Sequence, residues 1–230
     1  MLFIIKYATI KYQNIIIGLM ERKMSIKVRK AEIGDVSFLA KMILQSSRAG
    51  KKVGIFDLIF ENKSDKEILN NLEKLTKTKA KNRCQFTNFL IAEVDGKSVG
   101  TLCNYEPRLV TEQTFMEALK EIGCDNDIEE ALRVLSDCHF ELNSRTLMFD
   151  FVEELQDYKD VGILKALMHK SLLTARLKGY RIAQAVVESG SLDTKLYYKK
   201  LGFKEVDTKK SELYKEKFGR SGLTLFSMEF

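Results

Sequence analysis

From about residue 145 onward, short apolar runs and helix-periodic stretches alternate with almost nothing between them, and few architectures accept that pattern. The run RTLMFDFVEEL leads into QDYKDVGILKALMHKSLLTARLKGY, where Ile163, Leu164, Leu167, Leu172 and Leu177 recur at helical spacing up to Gly179. Residues 181–187 read as another apolar strand, 192–200 as a short helix, 203–206 as a strand and 223–230 as a last strand. Each helix has one apolar stripe to bury, so the alternation calls for a sheet with helices packed on both faces.

The first half supplies the rest of the sheet. IKVRKAEIGDVSFLAKMILQ reads as a strand and then a helix starting at Gly34-Asp35, with Val36, Leu39, Ala40 and Ile43 on its apolar side. A second helix over residues 63–77 opens at Ser64 and aligns Ile68, Leu69, Leu72 and Leu75. FTNFLIAEVDGKSVGTLCNYEP is a hairpin turning at Asp95-Gly96, since both residues tolerate positive φ. TFMEALKEIG and DIEEALRVLSD are helical, separated by Gly123 and residues 125–127, and form an insertion over 108–140. The expected fold is α/β (α+β): a mixed, mostly antiparallel twisted sheet of six to seven strands, with a helical insertion between the third and fourth. Residues 24–230 read as one domain and 1–23 as an extension of uncertain role.

Hydrophobic residues make up 45% of the chain and charged residues 30%, the balance of a globular protein, and the lone proline, Pro107, leaves no proline-rich linker. The first twenty residues are apolar but broken by Lys6, Lys11, Gln13 and Asn14, leaving runs far short of the roughly 20 residues that span a bilayer. Leu2 to Ile5 precede the first lysine, unlike a signal peptide, so neither a membrane partner nor export is expected and the location reads as cytoplasmic. The formal charge of +6 is spread among acids, which argues against nucleic acid and suits a polyanionic ligand equally well. Cys84, Cys103, Cys124 and Cys138 are too far apart for a zinc pair, with only His139 beside one, so no metal is expected and the thiols fit a reducing compartment.

Two stretches carry more specific information. Lys159-Asp160-Val161-Gly162-Ile163-Leu164 joins the strand before it to the helix after it, with Tyr158 ahead and Ala166-Leu167 behind. Leu196-Tyr197-Tyr198-Lys199-Lys200-Leu201-Gly202-Phe203 is a short helix ending in Tyr-x-x-x-Gly-Phe before a strand. Together they resemble the GCN5-related N-acetyltransferase (GNAT) superfamily, over about residues 26–230 in topology and about 145–206 in motif, with no subfamily identified. The resemblance implies transfer of an acyl group from acyl-CoA, with acetyl-CoA as co-substrate, to an amine whose identity stays unknown, and it allows a homodimer.

A helix that starts just after a strand leaves its first N–H groups unpaired at the positive end of its dipole, where an anion settles. The resemblance makes that anion the coenzyme pyrophosphate. Gly162 would let the backbone approach it and Lys159 would lend charge. The coenzyme-facing residues it implies are Val152, Leu155, Tyr158, Lys159, Asp160, Val161, Gly162, Ile163, Leu164, Lys165 and Tyr198. Backbone groups of residues 152–155 would hold the acyl carbonyl, and Tyr198 would protonate the departing thiolate or simply pack against the coenzyme. Glu153 and Glu154 are the expected catalytic carboxylates that take the amine's proton, with Asp150 and Glu106 as further candidates.

Three residues depart from the superfamily pattern. Lys159 replaces the common arginine, Leu164 stands where glycine or alanine is usual, and Asp160 lies at the mouth of the helix, where it could cap the N–H groups itself. A carboxylate about 6 Å from a phosphate charge costs roughly 0.7 kcal/mol in water and about 3 kcal/mol at an effective dielectric of about 20. The alternative reading is therefore a catalytically inactive acyl-CoA-binding or protein-interaction module on the same fold. In the insertion, Glu112, Glu117, Glu121, Asp125, Asp127, Glu129 and Glu130 read either as a solvated face or as an attractor for a cationic amine.

Overall fold

The computed structural model of the chain describes residues 25–61, 63–124, 128–142 and 146–229. The extension over 1–23, residues 125–127 of the insertion and Phe230 lie outside the described residues. Among the described residues seven strands form one sheet in the order β1-β2-β3-β4-β5-β7-β6: β1 (Ile26–Lys30), β2 (Phe89–Val94), β3 (Lys97–Tyr105), β4 (Thr146–Glu154), β5 (Ile182–Glu188), β6 (Lys204–Lys210) and β7 (Gly222–Glu229). Every neighbouring pair is antiparallel except β4 with β5. The expected hairpin turns at Asp95 (φ 50°) and Gly96 (φ 76°), the positive angles that a two-residue connection with the sheet's twist needs.

On one face lie α1 (Val36–Arg48), α2 (Ile55–Ile59) and α3 (Asp65–Leu75), joined by the inserted pair α4 (Glu112–Glu121) and α5 (Glu129–Ser136) and by α8 (Glu212–Phe218). Their apolar sides share a core with Phe89, Ile91 and Phe151 of the sheet, where the rings of Phe89 and Phe151 stack at 6.0 Å. On the other face α6 (Ile163–Leu177) and α7 (Leu192–Lys200) cover Ala92, Leu102, Leu147, Phe149 and Phe226. The insertion thus falls between the third and fourth strands, as expected, and buries Ala118, Leu119, Ala131 and Val134.

Two short helices and part of a strand exceed the sequence reading. α2 and α8 span less than two turns, too few for an apolar period, and are recognisable only by their ends. Asp57 accepts the Gly54 N–H at 2.8 Å, Ser211 Oγ accepts the Tyr214 N–H at 3.0 Å, and Gly219 closes α8 with φ 67°. β6 continues to Lys210 through Asp207, Lys209 and Lys210, residues of low strand propensity that suit the exposed edge of a sheet.

Two irregularities set the site. β4 pairs with β5 only from Thr146↔Ile182 to Phe149↔Ala185; beyond that β4 stays with β3 and β5 stays with β7, and the strands part. In the parting segment β4 bulges, because Asp150 and Glu153 face Cys103 and Thr101, three steps against two. Phe151 takes φ 45°, costly for a bulky side chain, and is held by its ring stack and by Thr101 Oγ1, which donates to its carbonyl at 3.1 Å. Opposite, Gly100 is packed so closely that a Cβ would stand 2.5 Å from Ile163 Cγ2 and 3.0 Å from the Glu153 carbonyl oxygen. Gly100→Ala is therefore expected to destabilise the protein by about 1–3 kcal/mol, the usual cost of forcing atoms into a filled site, measured as a lower urea midpoint with an unchanged slope.

Candidate functional site

The parting strands open a cleft of about 940 Å³, within the usual range of small-molecule sites. One mouth is formed by Lys159, Asp160, Gly162, Leu164 and Lys165 at the start of α6 and by Tyr197 and Lys200 of α7. The other is formed by the end of α1 (Gln45, Ser46, Ala49, Gly50), by Glu188 at the end of β5 and by Arg220. β4 runs between the mouths, and its bulge divides its side chains between them. Asp150 and Phe151 both meet Arg83, Glu153 turns to α1, and Glu154 turns to α6.

At the first mouth Gly162 (φ 96°) is the N-cap of α6 and has no side chain with which to cap it. Asp160 (φ 65°) sits at the opening without taking the capping role. The carboxyl that faces the helix start belongs to Glu154, toward which the N–H groups of Leu164 and Asp160 point; burial still holds its pKa above the usual carboxylate range. Val152, Glu153, Glu154, Lys159, Asp160, Gly162, Leu164, Lys165 and Tyr198 all line the cleft. Leu155, Tyr158 and Ile163 instead pack into the core beneath the loop, and Val161 is exposed at its outer edge.

Tyr198 stands between the mouths, 4% exposed and held by the rings of Phe203 (5.3 Å), Phe226 (5.4 Å) and Tyr197 (5.5 Å). Burial, with the charges of Tyr197, Asp150 and Glu153 around it, pushes its phenol well above the ordinary value, so it carries its proton at neutral pH. On the α1 side Glu153 accepts from Gln45 Nε2 at 2.8 Å and from the Ser46 hydroxyl. Burial dominates there too and raises its pKa. Asp150 is raised by burial despite Arg83 at 3.3 Å and the Phe151 N–H at 2.8 Å. Glu188 is raised by burial against Tyr214 OH (3.0 Å) and Arg220 (3.0 Å), while Arg220 also donates to the Ala49 carbonyl at 2.8 Å.

Glu106 lies away from the cleft, paired with Arg108 at 2.6 Å and bonded by Tyr180. Among the described residues, the insertion's acids do not line the cleft either: Glu121 accepts the amides of Lys79 and Ala80, and Glu130 pairs with Lys217 at 2.6 Å. The sequence reading missed Gln45, Ser46, Glu188 and Arg220. A signal existed for Glu188, since β5 lies parallel to β4 and the carboxyl ends of neighbouring parallel strands face one crevice. No local pattern marks the others, which arrive through tertiary packing.

No family model matches the chain, and no curated protein matches it. Solved structures do. An acetyltransferase is 18% identical, with a TM-score of 0.64, 88% of this chain covered and 98% of that one. A polyamine N-acetyltransferase of Drosophila melanogaster is 12% identical, with a TM-score of 0.61 over 90% and 100%. The PaiA N-acetyltransferase of Thermoplasma acidophilum, solved with coenzyme A, is 16% identical, with a TM-score of 0.52 over 90% and 100%. The chain has the fold of the GNAT acetyltransferases.

A carboxyl whose pKa is higher folded than unfolded keeps its proton longer in the folded state, so its contribution to stability falls as pH rises above the unfolded value of about 4.3. Glu153→Gln removes that dependence. Its stability relative to wild type is expected to increase from about pH 4 to about pH 8 in urea unfolding; an unchanging difference would contradict a buried, ionising Glu153.

Proposed function

We propose that the chain is an acyl-CoA-dependent N-acyltransferase that transfers an acyl group, in the first instance acetyl, to a primary amine of a small molecule or a protein by direct attack in a ternary complex. The observation that carries the reading is one continuous cleft through the parted β4 and β5, with a helix start whose N-cap is a glycine at one mouth, buried carboxylates at the other and Tyr198 between. The fold shared with acetyltransferases supports it. Acyl-CoA would supply an acyl group activated as a thioester.

The chain's own residues then divide the work. The amides at the start of α6, with Lys159 and Lys165, hold the pyrophosphate, and Gly162 lets the backbone come close. Backbone groups of β4 beyond Phe149, released from pairing with β5, orient the thioester carbonyl. Glu153 takes a proton from the attacking amine as the carbon–nitrogen bond forms, and the burial that raises its pKa makes it a stronger base than an exposed carboxylate. Tyr198 gives its proton to the sulfur as the carbon–sulfur bond breaks. Asp150 and Glu188 have arginine partners whereas Glu153 makes no ion pair among the described residues, so the α1-side mouth favours an acceptor that arrives as an ammonium ion, gives up its first proton to bulk water and attacks as the neutral amine.

The inactive-module reading is favoured by the side chain of Leu164 and the carboxyl of Glu154 at the coenzyme mouth. Calorimetry with acetyl-CoA followed by thiol release with polyamines, aminoglycosides and peptide amines separates the two. Binding with turnover supports the enzyme, binding without turnover supports the acyl-CoA-binding module, and no heat at millimolar acetyl-CoA rejects both of these and leaves the protein-interaction module. Tyr198→Phe is expected to lower kcat about 100-fold or more with coenzyme affinity changed less than about threefold, whereas equal losses would assign Tyr198 to packing.

A further inference from the structure

Glu154 stands where a ligand anion would stand. Because Gly100 has no side chain, Ile163 seats directly over it, and Gly100 is the cross-strand partner of Glu154. The first turn of α6 therefore begins beside this glutamate. Its backbone is pinned there, with Gln45 Nε2 3.4 Å from the Glu154 carbonyl and the next amide, Leu155 N–H, bonded to the Val99 carbonyl at 2.8 Å. From that place the carboxyl faces the N–H groups of Leu164 and Asp160, donors that a phosphate would need at a helix start. Asp160 adds a second negative charge, and Lys159 and Lys165 are the cations on the same wall. The hydroxyl of nearby Tyr197 is buried without a hydrogen-bond partner among the described residues.

We propose that Glu154 is an intramolecular occupant of the anion site at the head of α6, and that a polyphosphate ligand binds by displacing it. The inference rests on reading this mouth as the coenzyme pyrophosphate site. The helix start is then served by the protein's own carboxylate when no ligand is bound, and a ligand gains only the difference between its contacts and those of Glu154. Displacement turns the carboxylate toward the Tyr197 hydroxyl, a donor with no other partner among the described residues. Glu154 so acts as a built-in competitor that weakens coenzyme binding.

The test is calorimetric titration of wild type, Glu154→Gln, Glu154→Ala and Asp157→Asn with coenzyme A and, separately, with inorganic pyrophosphate. Asp157 is an exposed acid of the same loop that does not line the cleft, and its variant controls for a general change in charge. Both Glu154 variants are expected to bind each anion about tenfold more tightly than wild type, the scale of one charge removed from the vicinity of a phosphate, while Asp157→Asn stays within about twofold. Equal or weaker pyrophosphate binding by both Glu154 variants overturns the proposal. So does an equal gain in Asp157→Asn, or a failure of pyrophosphate to bind any of the four proteins. If the Glu154 variants gain pyrophosphate affinity but coenzyme A binds none of the proteins, the occupancy stands and the coenzyme reading falls.

Discussion

The parting of β4 from β5 after four paired residues is the constraint on which the rest depends. A sheet paired to its end would fill the space between these strands with a hydrogen-bond ladder and leave no cleft. Two devices maintain the opening. The bulge around Phe151 bends β4 while keeping it paired with β3, and the left-handed backbone of Phe151 is offset by its burial between Phe56 and Phe89 and by Arg83 over its ring. The bulge also decides chemistry. A shift of one residue along a strand exchanges its two faces, so without the bulge Glu153 would point to α6 and Glu154 to α1.

The site that results is costly to the fold. Asp150, Glu153, Glu154 and Glu188 all have burial as the largest influence on their pKa, and in each case that influence exceeds the hydrogen bonds and cations that oppose it. By contrast, Asp35, Asp65 and Glu205, which do not line the cleft, are held low by well-placed arginine or lysine partners. The chain can match its carboxylates with cations, and at the cleft it leaves the match incomplete. Such a pattern is expected where a carboxylate must exchange a proton or meet a ligand, rather than where it serves only to hold elements together.

Much of the fold was legible because its elements obey a period. The Asp95-Gly96 hairpin, the apolar stripes of α1, α3 and α6 and the β-α-β-α run of the C-terminal half each carry a local signal, and each is found close to its expected bounds. The elements missed, α2 and α8, are too short to show a period, and β6 is extended by charged residues that an edge strand tolerates. The cleft divides in the same way. Its α6 mouth is written in two motif stretches, from β4 to Lys165 and around Tyr197 to Lys200, whereas its α1 mouth is assembled from residues 45–50, Glu188 and Arg220, which only the tertiary fold brings together. The opposed directions of Glu153 and Glu154 depended on a bulge that no local pattern announces.

The end of α1 has a mechanical meaning. The sheet consists of two plates, β1 to β4 and β5 to β7, joined among the described residues along the four residue pairs of β4 and β5. Across the gap beyond that seam, α1 acts as a crossbar. Gln45 grips the first plate at Glu153 and the Glu154 carbonyl, and one turn later the Ala49 carbonyl is gripped by Arg220, which is tied to Glu188 of the second. The spacing of the plates is thus set by a rigid helical segment rather than by the floor of the cleft. Its length acts as the gauge that sizes what can pass between them.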